Sequence, residues 1–94
     1  MITALDQRPT KRRDVKWKRI GKSGILLDLT TGNYFELDEI ALTIWGMLDG
    51  KRSVAKVVDS LAQKYSCHRK TVEKDVMGFL AELRKRKLIE TVKN

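Results

Sequence analysis

The spacing of apolar residues changes once along the chain, near residue 38. Before that point Val15 and Trp17 alternate with lysines, and a short apolar run, "ILLDL", follows between glycine-containing turns. After the turn "TTGN", the segment "YFEL" at residues 34–37 returns in the opposite direction. Alternation and short apolar runs bounded by turn residues are typical of β-strands. The pattern therefore predicts a three-stranded antiparallel meander over residues 15–37, with its first and last strands at the edges.

Beyond residue 38 apolar residues recur every three or four positions, which is the period of amphipathic helices. Asp38 and Ser53 are the predicted N-caps of the first two helices, and the third is predicted over residues 70–86. The terminal segment "LIETV" has the composition of a short strand. The predicted fold class is α+β and winged-helix-like, with an N-terminal three-stranded antiparallel meander followed by a three-helix bundle. The predicted core stripes of the helices are Ala41, Ile44, Trp45 and Leu48; Val54, Val57, Val58, Leu61, Ala62 and Tyr65; and Val72, Val76, Phe79, Leu80 and Leu83.

The first fourteen residues differ from the rest of the chain in composition. They contain the only proline, Pro9, and the basic run Lys11–Arg13, with little apolar content. Such segments are typically mobile. We therefore predict a flexible basic N-terminal arm over residues 1–14 and a single domain over residues 15–94.

Length and hydropathy exclude several classes of protein. A domain of 94 residues buries only about 60 to 65% of its unfolded surface, which argues against a deep enclosed active site. No apolar run reaches the ~18 to 20 residues of a membrane span, and the N-terminus lacks the apolar core of a signal peptide. We therefore expect a cytoplasmic protein without a membrane partner.

Catalytic and metal-binding chemistry is sparse in this sequence. Cys67 and His68 are the only residues of their types, whereas a zinc site needs about three or four protein ligands. Adjacent residues entering a helix also point apart, so they do not form a nucleophile and its base. The segment "GKSG" lacks the spacing of a phosphate-binding loop. We predict no enzymatic activity, no metal and no cofactor, with Cys67 as a buried filler and His68 as a solvated or capping residue.

Charge is distributed unevenly and indicates an anionic partner. The net charge is +8, with +5 over residues 1–20, −4 over residues 21–50, +3 over residues 51–68 and +4 over residues 69–94. A basic protein of this size is suited to nucleic acid or to an acidic peptide. A basic surface that is merely solvated is the alternative interpretation.

The motifs described above also occur together, in this order, in a known family. The hairpin "LLDLTTGNYFEL", "IW" on the first helix, the "LDG" that ends it, "DV" and "FL" on the third helix and "LI" after it resemble the PqqD-like family, named for coenzyme PQQ synthesis protein D. The resemblance covers residues 20–90. Asp38 stands where the family usually has asparagine, and "SCHRKT" precedes the third helix where acidic residues and proline are common. Positive charge at a helix N-terminus opposes the helix dipole.

The resemblance implies a peptide-binding module rather than an enzyme. Family members hold the leader segment of a ribosomally made precursor peptide and present it to a modifying enzyme, often a radical SAM enzyme. The physics of an edge strand agrees, since its unpaired N–H and C=O groups can accept a peptide as a further strand. We expect a precursor peptide and a radical SAM maturation enzyme as partners, in PQQ or another natural-product pathway, and a monomer or weak homodimer.

A groove between the third strand and the third helix is the site that the resemblance implies. In the alternative interpretation of the strand, residues 34–37 form an ordinary edge strand that packs one face against the core. The sequence does not show which flank of the helix meets the strand, and Met77 suits the core equally well. The predicted peptide-binding residues are Tyr34, Phe35, Glu36 and Leu37 on the strand, with Lys70, Glu73, Lys74, Met77, Leu80 and Arg84 on the helix.

A DNA-binding winged helix is the alternative function. Arg69, Lys70 and Lys74 lie near the start of the third helix, where a recognition helix contacts DNA. Against this, only about seven residues follow "RKRK", too few for a two-stranded wing, and Glu73 and Asp75 lie on the same turns. Nucleic acid is therefore not the expected partner. A third class, a structural oligomer subunit, would pair the edge strand with another copy of the chain.

Overall fold

The computed structural model describes residues 4–92, and its element order confirms the predicted α+β fold class. A 3₁₀ turn at Ala4–Asp6 precedes the first strand. The strands are β1 (Arg8–Lys11), β2 (Val15–Ile20), β3 (Ser23–Asp28), β4 (Tyr34–Leu37) and β5 (Ile89–Val92), and the helices are α1 (Glu39–Gly46), α2 (Val54–Tyr65) and α3 (Arg69–Lys85).

The predicted meander is present as an antiparallel sheet in the order β2-β3-β4. The hairpin between β3 and β4 closes where the Asp28 N–H donates to the Asn33 C=O at 2.9 Å. Gly32 has a φ of +79°, which costs glycine little. The buried Asp28 carboxylate accepts the Thr30 N–H at 2.9 Å, so a side chain within the loop also stabilises its shape.

A second sheet, formed by β1 and β5, was not predicted. The two strands pair antiparallel, with Arg8 opposite Val92 and Lys11 opposite Ile89. The structure thus places residues 8–11 in a strand, where the sequence predicted part of a mobile arm over residues 1–14; residues 1–3 lie outside the described residues. Long-range pairing fixes this segment, because its four residues have no periodicity of their own.

Side-chain caps begin the first two helices, as predicted. Asp38 Oδ1 accepts the Ala41 N–H at 2.8 Å, and Ser53 Oγ accepts the Lys56 N–H at 3.1 Å. Each bond satisfies a backbone donor that the first helical turn leaves free. The caps therefore fix where the chain changes from extended to helical backbone.

The core lies between one face of the meander and the three helices. Trp45 is fully buried at its centre, and α3 ends where the Leu88 N–H donates to the Leu83 C=O at 2.9 Å. That bond and Lys87, with a φ of +58°, turn the chain so that Leu88 enters the core and β5 runs back to β1. The buried apolar residues are Val15, Leu26, Leu37, Leu42, Ile44, Trp45, Leu48, Val54, Val57, Val58, Leu61, Val76, Leu80, Leu83, Leu88 and Ile89.

Cys67 is exposed, with its Sγ 3.3 Å from the Tyr65 C=O, so its prediction as a buried filler is wrong. The α2–α3 connection that carries it runs over the surface.

Over residues 4–92, none of the helices has the length and hydropathy needed to cross a membrane.

Candidate functional site

The free edge of β4 is the feature around which the candidate site is built. Asp28 and Asn33 form a hydrogen-bonded pair at the start of the β3–β4 ladder. Bonded and non-bonded pairs alternate along an antiparallel ladder, so Phe35 is the next residue of β4 whose backbone bonds to β3. The N–H and C=O groups of Tyr34 and Glu36 point the other way, toward the side of β4 that has no strand beside it. This edge therefore presents two donors and two acceptors.

A groove runs beside this edge, between β4 and α3. Its open volume is about 400 Å³. Its base is apolar, because Leu26, Leu83 and Leu88 belong to the core. The half-buried rings of Phe35 and Phe79 line its two sides. The groove residues are Leu26, Tyr34, Phe35, Glu36, Leu37, Phe79, Glu82, Leu83, Arg86 and Leu88.

Arg86 lies across the groove from β4 and contacts both walls. Its guanidinium carbon is 4.8 Å from the centroid of the Phe35 ring, within the range of a cation–π interaction. Its Nε donates to Glu82 Oε1 at 2.9 Å, one helical turn earlier. These two contacts hold a mobile side chain in one orientation. The groove thus combines an apolar base with a charged rim of Glu82 and Arg86.

The residues predicted on the strand lie in the groove, whereas the predicted helix flank does not. Glu73, Met77 and Arg84 are absent from the groove lining, and Leu80 is fully buried in the core. Arg84 Nη2 instead donates to Gln7 Oε1 at 2.8 Å, near the N-terminal segment. The flank nominated from the sequence therefore faces away from β4, and the opposite flank forms the groove wall.

The basic face of α3 is also separate from the groove. Lys70 and Lys74 are exposed and do not line it. Arg69 Nε donates to Asp59 Oδ1 at 2.6 Å and Arg69 lies 3.6 Å from the Glu73 carboxylate, so this cation is already paired. The hydrogen bond to Asp59, and then its charge, raise the pKa of Arg69. The basic start of the helix is thus partly neutralised by carboxylates on α2 and α3.

Three residues of the groove wall were missed by the sequence prediction: Phe79, Glu82 and Arg86. The sequence pattern places Phe79 on the core stripe, and nothing in it sets Glu82 and Arg86 apart from the other polar residues near the end of the helix. Helical spacing places all three on one flank of α3, at 280 to 340° when Val72 is set to zero and each residue advances by about 100°. The sequence contained this grouping, but it did not show which flank faces β4.

These features define a class of protein: a small α+β domain in which an open sheet edge borders an apolar groove. The sequence profile of the family described as Coenzyme PQQ synthesis protein D (PqqD) matches residues 23–89. The match covers more than half of the chain. The chain therefore belongs to the PqqD family.

Individual relatives support the assignment. A PqqA binding protein of Xanthomonas oryzae pv. oryzae (strain KACC10331 / KXO85) is 30% identical over 84 residues, which cover 89% of this chain and 91% of that protein. A PqqA binding protein of Gluconobacter oxydans (strain 621H) is 37% identical over 57 residues, 61% of this chain and 59% of that one. For several curated relatives the matched segment thus spans only about half of their length.

A solved structure extends the likeness to three dimensions. The structure of TbiB1 in complex with the TbiA(beta) leader peptide matches 90% of this chain and 99% of that chain. The TM-score is 0.81 at 33% sequence identity. The arrangement of helices and strands is therefore shared over nearly the whole domain.

Proposed function

We propose that this protein is a recognition element that binds the leader segment of a ribosomally made precursor peptide. The observation that carries the proposal is the free edge of β4 above the apolar groove. It is supported by the relatives that are named PqqA binding proteins and by the similar TbiB1, which was solved with a leader peptide.

The peptide adds to the sheet as a fourth strand beside β4. The N–H and C=O groups of Tyr34 and Glu36 provide two donors and two acceptors for its backbone. Alternate side chains of an added strand point to the same face, so every second peptide residue enters the groove against Phe35 and Phe79. Backbone bonds thus contribute affinity, and the apolar groove selects the sequence.

We further propose that the protein has no turnover of its own and presents the bound peptide to a separate modifying enzyme. A radical SAM enzyme fits this role in a PQQ or related pathway. Holding the leader beside the enzyme raises the effective concentration of the segment to be modified. A gene for a short peptide and a gene for such an enzyme beside this one would supply the two partners.

Proline substitution on β4 tests the proposed mode of binding. Tyr34→Pro and Glu36→Pro each remove an N–H that faces the free edge, whereas Phe35→Pro removes one that bonds to β3. We expect the first two variants to bind a labelled leader peptide at least about tenfold more weakly while keeping the fold, since a lost bond and a steric clash coincide. The measurement is a fluorescence anisotropy titration with a thermal melt of each variant.

The control for this experiment is the inward-facing position. Phe35→Pro should lower the melting temperature clearly, because it breaks the β3–β4 ladder inside the sheet. If Tyr34→Pro and Glu36→Pro both fold and bind the peptide as tightly as the wild type, strand addition at β4 is refuted. A peptide from an unrelated precursor should bind neither the wild type nor the variants.

A further inference from the structure

The outer face of the meander, opposite the core, has no covering element among the described residues. Cross-strand pairing places Lys16, Leu27 and Tyr34 in one row of this face and Lys18, Ile25 and Glu36 in the next. Paired residues of antiparallel strands point to the same side of the sheet. This face, together with Ile20 at its end, is called the outer sheet face below.

The outer sheet face is unusually apolar for a solvent-exposed surface. Ile20 is 55% exposed, Leu27 38% and Tyr34 66%, and Ile25 is half-buried beside them. A shallow open depression of about 260 Å³ lies over this cluster, lined on this face by Lys16, Lys18, Ile20, Ile25 and Leu27. Contiguous apolar surface with a polar rim is characteristic of a site that contacts another protein.

The charge of the surrounding hairpin restricts the kind of partner. The exposed cations Lys16 and Lys18 lie on this face and Lys22 on the adjoining β2–β3 turn, whereas Glu36, at the β4 end, is the single carboxylate of the two rows. A second copy docked through the same face would bring these cations against one another, which is unfavourable. The complementary surface has an apolar centre and an acidic rim.

We propose that the outer sheet face docks the peptide-modifying enzyme, through an enzyme surface that is apolar at its centre and acidic at its rim. This inference rests on the proposed function. Tyr34 and Glu36 connect the two surfaces, because their backbones face the free edge while their side chains lie on the outer sheet face. An enzyme docked there lies directly beside the peptide strand on β4.

The test compares variants of the outer sheet face with a matched control. Leu27→Glu places a charge at the apolar centre, and the double variant Lys16→Glu/Lys18→Glu reverses part of the rim. The control is Lys51→Glu/Lys56→Glu, which makes the same change in net charge as the double variant. Lys51 lies just before α2 and Lys56 lies on it, and the main neighbours of α2 are α3 and the 3₁₀ turn rather than the meander. The probe is the proposed partner, a radical SAM peptide-modifying enzyme, and its affinity for the full chain is measured by biolayer interferometry without peptide.

We expect both outer-face variants to weaken enzyme binding by about tenfold or more, since an apolar centre and its rim charges are the determinants of such an interface. The control should bind like the wild type. Because the rim is charged, wild-type affinity should also fall as salt rises from about 50 to 300 mM. Thermal melts establish that each variant is folded.

Three results would overturn the inference: no enzyme binding by the wild type, equal binding by both folded outer-face variants, or a dimer of the chain that Leu27→Glu disperses. Leader-peptide affinity is measured separately on the same proteins and should change by less than about twofold in the outer-face variants, because their substitutions leave β4 intact. Failure of peptide binding in the wild type would refute the proposed function instead. The two proposals therefore fail in distinguishable ways.

Discussion

The two tryptophans occupy opposite surroundings, and this difference determines how much each stabilises the fold. Trp45 on α1 is 0% exposed, whereas Trp17 on β2 is 48% exposed. The Trp45 indole N–H has no hydrogen-bond partner among the described residues, so burial of the ring accounts for its contribution. Lys11 Nζ lies 5.7 Å from the ring centroid of Trp45 and donates to the Leu48 C=O at 3.1 Å, and burial lowers the pKa of this lysine.

Replacing each tryptophan by alanine should separate the two environments. We expect Trp45→Ala to lower the free energy of unfolding by about 3 to 5 kcal/mol, because it leaves a large cavity in the core. Trp17→Ala should cost about 1 kcal/mol or less, because half of its ring is already in water. Urea denaturation followed by circular dichroism measures both. Equal costs would show that Trp45 is not a core residue.

The Asp14 carboxylate links the β1–β2 connection to the β3–β4 loop and should make stability depend on pH. Asp14 accepts hydrogen bonds from the Thr30 hydroxyl and from Arg12 Nη2, the latter at 2.9 Å. The Thr30 bond, with a smaller contribution from the Arg12 charge, lowers the pKa of Asp14 below its usual 3.8. A lowered folded-state pKa means that the ionised form stabilises the fold above the usual pKa, and that this stabilisation is lost on acidification.

We therefore expect the wild type to be more stable than Asp14→Asn near pH 6, with the gap closing as pH falls through about 4 toward 2.5. The measurement is the melting temperature of both proteins across that range. Thr30→Val removes the main cause of the lowered pKa and should show a similarly reduced acid sensitivity. A gap between wild type and Asp14→Asn that stays constant with pH would contradict this account.

At the scale of elements, α3 presents three surfaces with different neighbours. Its core stripe includes Leu80, its groove flank includes Phe79 and Arg86, and its remaining flank contacts the N-terminal segment through Arg84. Only the groove flank borders β4. A ligand in the groove would therefore contact helix side chains other than those that the sequence predicts.

The matched pair Phe79→Ala and Met77→Ala tests which flank binds. Both side chains are half-buried, but only Phe79 lines the groove. We expect Phe79→Ala to weaken leader-peptide binding by about tenfold and Met77→Ala to leave it unchanged, as measured by titration of the labelled peptide. Arg84→Ala should lose about 0.5 to 1.5 kcal/mol of stability with its bond to Gln7, without loss of affinity. If Met77→Ala weakened binding and Phe79→Ala did not, the flank predicted from the sequence would be the binding surface.

What the sequence could and could not predict follows from how far each interaction reaches. The caps at Asp38 and Ser53 and the turn at Gly32 depend on neighbours a few residues away, so local patterns identify them. Strand β1 depends on β5, more than 70 residues later, and four residues with no alternation give no sign of it. The groove flank of α3 is likewise fixed by the packing of α3 against the sheet. The caps and turns can therefore be predicted from the sequence, whereas the pairing of β1 with β5 and the orientation of α3 against the sheet cannot.

At the scale of the whole molecule, the β1–β5 sheet changes one argument about nucleic acid. Too few residues follow α3 to form a two-stranded wing, but β1 supplies the second strand from the other end of the chain. The objection based on wing length is therefore wrong. The stronger argument is electrostatic, because Arg69 is already paired with Asp59 and Glu73 at the start of α3. A residue engaged in this way is less available to contact a base or a phosphate.

We expect duplex DNA to bind weakly and without sequence preference, with a Kd of roughly 10⁻⁴ to 10⁻⁶ M at physiological salt. The net charge of +8 is sufficient for such non-specific attraction. Electrophoretic mobility shifts with several unrelated duplexes, repeated at rising salt, provide the measurement. Nanomolar binding to one selected sequence would instead identify a sequence-specific DNA-binding protein.

The pairing of β1 with β5 also determines where this domain can be joined to other chains. Arg8 lies opposite Val92, so two backbone positions at opposite ends of the described residues are only about 5 Å apart. A domain with two such neighbouring positions can be inserted into a surface loop of a host protein through short linkers, without distorting the host or the domain. The same proximity permits circular permutation, with new ends opened at the exposed β2–β3 turn at Gly21. In either format β4 and the groove keep their surroundings, so the proposed leader-binding site could be moved into another protein intact.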